Sequence, residues 1–137
     1  MNILIIDGQG GRLGEQLIKA ITARLPEASI TAVGTNSTAT AAMIKAGAQK
    51  AATGENPVIV ASRKADIIIG PIGIVIADSL MGEVTPAMAA AVGQADAVRI
   101  LIPMNKCENI VAGVGDLSTS VLIQDAVAKA GRYLESR

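Results

Sequence analysis

The chain alternates between short apolar runs and longer stretches in which apolar residues return at helical spacing. Asn2 to Ile6 is the first apolar, β-branched run, and it breaks at Asp7-Gly8-Gln9-Gly10-Gly11. From Arg12 to Leu25 the residues Leu13, Leu17, Ile18, Ile21 and Leu25 share one helix face, with Glu15 and Lys19 at i,i+4 on the wet face and Pro26 closing the segment. The order is strand, glycine loop, helix. Ala28 to Val33 predicts a second strand. Gly34-Thr35-Asn36-Ser37-Thr38 then supplies N-cap candidates for a helix over Ala39 to Ala46, which Gly47 stops.

The same alternation continues. Gln49 to Ala52 predicts a short third strand, and Asn56 as N-cap with Pro57 at the first helical position starts a helix ending near Lys64. Val58-Ile59-Val60 would prefer a strand on local propensity, but Asp66 to Gly70 is another strand, and parallel strands need a crossover between them. Ile72 to Leu80 has room for a further short helix. Thr85-Pro86 opens a small Ala/Met helix that Gly93 is expected to end. Val98 to Ile102 predicts a fifth strand, Pro103 to Glu108 a loop and Asn109 to Val114 a sixth strand. The last helix runs from about Leu117 to Glu135, with Ile123, Val127, Ala130 and Leu134 on one stripe and Asp125, Lys129 and Arg132 towards water. No linker or repeat interrupts this order. It specifies one α/β domain, Rossmann-like and three-layered, with a mainly parallel sheet of five or six strands.

In such a sheet the ligand crevice lies at the carboxyl ends of the strands, where the strand order reverses. That rule gathers the loops Gly8 to Gly14, Gly34 to Thr38, Gly70 to Gly73 and Asn105 to Cys107 on one edge.

Composition narrows the function classes. The 137 residues carry 12 basic and 12 acidic side chains, so no basic surface for a nucleic-acid backbone is advertised, and one tyrosine is the entire aromatic complement. The most apolar run, Ile67 to Ala77, lies between Asp66 and Asp78 and contains Gly70, Pro71 and Gly73, far short of the roughly 20 residues a spanning helix needs. No membrane partner is expected. A single cysteine and a start that passes from Met1 straight into a strand favour the cytoplasm. Half the residues are apolar and mostly small, and the surplus of Ala and Met points to a homodimer or larger homo-oligomer.

The glycine loop reads Gly8-x-Gly10-x-x-x-Gly14, one residue longer than the dinucleotide fingerprint, with Gly11 extra. Gly8, Gln9, Gly10, Gly11, Arg12 and Leu13 are its candidate contacts, because a helix N-terminus and close backbone approach favour a phosphate. A Walker-type loop is disfavoured by the missing Gly-Lys-Ser/Thr ending. The acidic ribose ligand expected to end the second strand is absent; Gly34-Thr35-Asn36 stands there, where Thr35 and Asn36 offer hydrogen bonds to a ribose or phosphate, or simply cap a helix with Ser37 and Thr38. Hence the cofactor is undefined: a dinucleotide such as NAD or NADP fits the loop, with no residue specific for either. Gly70, Pro71, Ile72 and Gly73 complete the crevice with Asn105 and Lys106.

Other chemistry is sparse. Asp7, Asp78 and Glu83 could converge on a Mg²⁺, but nothing in their spacing demands it, and no metal site is assigned. Lys106 beside Cys107 would either favour a thiolate or reach a phosphate, and a buried, inert Cys107 is the favoured alternative. There is no histidine, which removes the commonest general base and any Cys/His nucleophile. No catalytic residue is assigned, and whether the chain is an enzyme stays open.

IDGQGG at Ile6 to Gly11, AVGTN at Ala32 to Asn36, ATGEN at Ala52 to Asn56, GPIGIVIADSL at Gly70 to Leu80, TPAMAAAVGQ at Thr85 to Gln94 and IPMNKC at Ile102 to Cys107 together resemble a family of small bacterial proteins known only as a domain of unknown function. The resemblance implies a bacterial cytosolic protein with a Rossmann-like fold and brings no substrate, catalytic residue or cofactor. The leading expectation is a protein that binds a nucleotide, dinucleotide or other phosphorylated small molecule at the first glycine loop. The alternative is a non-enzymatic regulatory or assembly protein acting through an oligomer interface on the Ala/Met helix. A weaker third reading is Mg²⁺-dependent phosphoryl transfer through Asp7 and Asp78.

Overall fold

The computed structural model describes residues 1–104 and 108–137. Five strands, β1 (Asn2–Asp7), β2 (Ser29–Gly34), β3 (Lys50–Thr53), β4 (Ile67–Pro71) and β5 (Val98–Ile102), alternate with α1 (Arg12–Arg24), α2 (Ser37–Ala46), α3 (Glu55–Lys64), α4 (Pro86–Gln94) and α5 (Thr119–Glu135). All pairings are parallel and the order is β3-β2-β1-β4-β5. The chain winds outwards from β1 to β3, then crosses back to place β4 on the other side of β1. The order therefore reverses between β1 and β4.

Alternation along β1 decides which helix covers which face. Ile3 and Ile5 point into a layer with Leu17, Ile18 and Ile21 of α1, Met43 of α2 and Ile123 and Val127 of α5. Leu4 and Ile6 point the other way, towards Val58 of α3 and Met88 and Val92 of α4. Since both faces are covered, β4 reads as an unbroken apolar run, Ile67 to Ile69, with no exposed side chain. Val58 is 1% exposed, and its burial against the sheet outweighs the strand preference of Val58-Ile59-Val60. The i,i+4 pairs Glu15–Lys19 and Asp125–Lys129 form on the wet faces.

Several boundaries differ from the sequence reading. No strand forms at residues 109–114: Gly113 takes a left-handed backbone and the Val114 N–H closes a turn on the Val111 carbonyl, so the described sheet has five strands. The cap of α3 is Gly54, with no side-chain bond, and Asn56 and Pro57 lie inside the first turn. Helix α2 begins at Ser37, so Asn36 alone caps it, accepting from the Ala39 N–H. Thr85 caps α4 as expected, but Gly93 lies within that helix and Ala95 ends it. Between β4 and α4 the expected short helix is a single 3₁₀ turn, Ile72–Val75, followed by an irregular strap over residues 76–85. Among the described residues no helix is long and apolar enough to cross a membrane.

Candidate functional site

The last residue of β1, Asp7, sets the glycine loop. Its side chain is 5% exposed and turns back under the loop, where Oδ1 accepts from the Gly8 N–H at 2.8 Å and Oδ2 from the Gly14 N–H at 2.7 Å. The N-cap of α1 is Gly11, which has no side chain to offer. Asp7 therefore satisfies one free N–H of the first turn, that of Gly14, together with the Gly8 N–H of the loop, from beneath. Gly11 itself sits at φ 74°, and a Cβ there would stand 2.7 Å from the Ala39 backbone, so the crossing of this loop over α2 requires glycine.

The open side of the loop meets a carboxylate from a remote part of the chain. Oε1 of Glu83, on the strap, accepts from the Gln9 N–H at 2.8 Å, the Thr35 hydroxyl at 2.6 Å and the Asn36 Nδ2 at 2.8 Å. Asn36 also donates to the Gln9 carbonyl at 2.9 Å, tying the loops after β1 and β2 together. The strap is pinned on its inner side by Leu80, 2% exposed, and by a hydrogen bond from the Ser79 hydroxyl to the Gly73 carbonyl. A Cβ on Gly8 would lie within 3 Å of Thr35, Glu83 and Leu80, so the strap packs directly on the loop. Asp78, Leu80 and Met81 all adopt positive φ, a costly conformation for side chains that have a Cβ.

The two carboxylates respond to this setting in opposite directions. Burial pushes the Asp7 carboxyl up; the Gly14 and Gly8 amides oppose the shift and the Glu83 charge adds to it. Burial would also raise Glu83, but the bonds from Thr35, Gln9 and Asn36 together outweigh it and leave the group below its ordinary value of 4.5. With a folded pKa below the unfolded one, Glu83 contributes stability above its ordinary value, and this is lost as the pH falls through the folded pKa. Asp7 acts the other way, its ionisation costing stability at neutral pH. Urea unfolding between about pH 6 and pH 3 should show a smaller acid loss in Glu83→Gln than in the parent chain. An identical acid limb would remove Glu83 from that account.

Gly8, Gln9, Gly10 and Gly11 ring the carboxyl ends of β1 and β2 with Thr35 and Asn36. Gly10 is exposed, and a Cβ there would meet nothing nearer than the Arg12 side chain at 3.9 Å. Arg12 is exposed on the first turn of α1, whereas Leu13 is 7% exposed and packs in the core. Gly70 and Pro71 are the buried end of β4, and Ile72 and Gly73 belong to the 3₁₀ turn, joined to the glycine loop through Leu80. Asn105, Lys106 and Cys107 lie outside the described residues. Asp7, Asp78 and Glu83 do not form a metal cluster: among the described residues no three acidic or thiol groups are arranged to hold an ion.

A family model described as a domain of unknown function, DUF3842, matches residues 2–135. The chain belongs to the DUF3842 family. Curated proteins and solved structures give no match. What the DUF3842 domain offers must therefore be read from its own residues. Its glycine loop is distinct from a groove of about 400 Å³ beside α3, lined by Thr31, Val33, Lys50, Val60 and Lys64, which opens where α3 leaves part of β2 and β3 uncovered. None of the residues lining that groove belongs to the loops after β1 or β4.

The DUF3842 residue that the sequence reading did not assign to this place is Glu83. The position expected to hold an acid at the end of β2 has none, and a carboxylate arrives there from 48 residues beyond Thr35. A candidate signal was the lone acid between Gly82 and Val84, but only the path of the strap brings it to the loop.

Proposed function

We propose that the domain binds a small phosphorylated molecule, a nucleotide or a sugar phosphate, at the carboxyl edge of β1 and β2 beside the β1–β4 reversal. One observation carries this reading: donors from two separate loops, the Gln9 N–H, the Thr35 hydroxyl and the Asn36 amide, converge on a single anionic oxygen. Those donors are taken up by Glu83 and fix the two loops and the strap together at this edge, and it is the exposed Gly10 and Arg12 beside them, at the N-terminal end of α1, that would meet a phosphate. In this reading Gly10 permits close approach and Arg12 supplies charge; Asn105 and Lys106 remain part of it from the sequence alone.

The test is a thermal-shift screen against nucleotides, dinucleotides and sugar phosphates, in which a ligand at 100 times its Kd adds about 2.7 kcal/mol. Gly10→Val should abolish any shift found while leaving the unliganded melting temperature within a few degrees, because an added Cβ at this site meets only the Arg12 side chain, at 3.9 Å. A silent panel would overturn the reading, and so would a ligand that binds Gly10→Val as tightly as the parent.

A second reading, action through an interface between copies, draws on α4. Its nine residues carry no charge, and Ala87 and Ala90 face outwards. A helix apolar on all sides is ordinarily buried. Sedimentation across a range of concentrations decides it, a monomer throughout being the contrary result.

A further inference from the structure

The groove beside α3 is remote from the glycine loop in character as well as in lining, because its two ends differ. Its floor is the face of the sheet that carries Leu4, Thr31 and Val33, continued in register by Lys50 and Ala52 of β3, and its wall is α3. Strand and helix run in opposite directions here. Lys50 opens β3 and Lys64 closes α3, and the Asn2 Nδ2 at the start of β1 donates to the Lys64 carbonyl at 3.4 Å. Both lysines therefore belong to the amino-terminal edge of the sheet, together with Ser29, which opens β2. Towards the carboxyl edge the lining turns apolar, with Val33, Ala52, Pro57 and Val60, and the exposed Asn56 stands at the mouth.

The charge at the first end is unbalanced. Neither Lys50 nor Lys64 enters an ion pair among the described residues, and none of the residues lining the groove is acidic. Asp66, two residues beyond Lys64, is already taken up by the Asn2 N–H at 2.7 Å and by Arg137 at 3.1 Å. At the other end Val60 is 36% exposed on the groove wall, an apolar side chain left in water by the lack of any element over β3. The volume, about 400 Å³, is in the range of small-molecule sites. From Lys64 back to Pro57 the helix axis covers about 10 Å, the length of a chain of roughly eight carbons. Two unpaired cations at one end of a short apolar channel are complementary to one kind of molecule.

We infer that this groove binds a small amphipathic anion, of the class of a medium-chain carboxylate. The carboxylate lies at the Lys50 and Lys64 end, and the hydrocarbon tail follows Val60 and Pro57 over Val33 and Ala52. The lysines select the sign of the head group, and burial of the tail supplies the affinity. This site does not depend on the phosphate reading of the glycine loop.

The probes are octanoate, octan-1-ol and octylamine, kept below micelle-forming concentrations, with Kd measured by calorimetry and the site located by amide chemical shifts. The parent is expected to bind octanoate at least about 10-fold more tightly than octanol, the range of a hydrogen bond to a charged group, and octylamine most weakly. From hexanoate to octanoate each methylene should add about fourfold, the gain fading in longer chains that leave the groove. In the double variant Lys50→Gln, Lys64→Gln the octanoate affinity should fall to that of octanol, which itself stays unchanged; both lysines are exposed, so the unliganded melting curve should not move. Val60→Asn, also at an exposed position, should instead weaken octanoate and octanol in the same proportion.

Equal binding of octanoate and octanol by the parent overturns the inference, as does tighter binding of octylamine. An unchanged octanoate affinity in the double variant has the same force, and so do shifts centred on Gly10 and Arg12 in place of Ala52 and Val60. No binding of octanoate up to its micelle threshold also overturns it. If the parent chain self-associates and Val60→Asn abolishes that association, the groove is filled by a second copy and the inference fails.

Discussion

Gly11→Ala is expected to destabilise the protein by about 3 kcal/mol or more, whereas Gly10→Ala, one residue earlier, should change stability by less than about 1 kcal/mol. The difference comes from two costs that fall on Gly11 alone. Its φ of 74° is left-handed, which costs an L side chain roughly 1 kcal/mol relative to glycine. The added Cβ would also stand 2.7 Å from Ala39 Cα and 2.8 Å from the Ala39 carbonyl oxygen, and these are backbone atoms in the first turn of α2, unable to step aside as a flexible side chain could. Relief requires α1 and α2 to separate, which disturbs the packing of Leu17 and Met43 against the sheet. Chemical denaturation should show the midpoint falling at unchanged slope, with a loss of about 10 °C in Tm. Equal stabilities of the two variants would mean that the loop relaxes freely, and its crossing over α2 would lose its place in the fold.

Asp7→Ala carries the second large effect, a loss of about 3 kcal/mol. Removing the carboxylate strips the Gly8 and Gly14 N–H groups of their partner in a place where water does not reach, and each unpaired buried donor costs about 1–3 kcal/mol. Relief of the charge's own burial penalty offsets part of this, which is why the expected loss is below the sum of the two bonds. Asp7→Asn separates the contributions: it removes the charge but keeps one acceptor and places a donor against a donor, so it should fall between the parent and Asp7→Ala. Hydrogen exchange gives the local readout, with the Gly14 amide losing protection in Asp7→Ala by more than the core amides of β4. If Asp7→Ala were as stable as the parent, the carboxylate would be superfluous to the loop, and its burial would need a functional explanation instead.

These two residues show how unevenly the site could be read from the chain. Asp7 and Gly11 stand inside a motif visible at once, yet the sequence treated Asp7 as a candidate metal ligand and Gly11 as a surplus glycine. In the fold they are one device: a glycine N-cap that has no side chain, and a strand-end carboxylate that does the capping from below. Thr35 and Asn36 were recognisable as polar groups at the end of β2, and the competing reading of Asn36 as a helix cap is correct, since its Oδ1 accepts from Ala39 while its Nδ2 reaches Gln9 and Glu83. Glu83 could not be assigned, because the strap that delivers it contains no regular element and turns through positive φ at ordinary residues. Propensity disfavours such a path, and only its anchors, Leu80 in the core and Ser79 on the Gly73 carbonyl, make it tolerable.

The sequence by itself determined the alternation of strand and helix, the parallel sheet and the edge on which the loops collect. These follow from periods of two and 3.6 residues, from caps such as Thr85-Pro86 and stops such as Gly47, and from the need of parallel strands for a crossover, all of which are local or nearly local facts. It also proposed a sixth strand at residues 109–114, where apolar composition suggested a partner that the edge of β5 does not take up. The tertiary structure alone decided that Asp7 caps α1 and that the carboxylate absent from the end of β2 arrives on a strap from the far side of β4, and it supplied the burial of Val58 that lets α3 form as the crossover requires. Each of these depends on what a residue meets across space: burial of Val58, the Gly8 and Gly14 amides that Asp7 accepts from, and three converging donors that hold Glu83 ionised. Gly8 is next to Asp7 in the chain, but Gly14 is 7 residues away and the donors to Glu83 are 47 to 74 residues away.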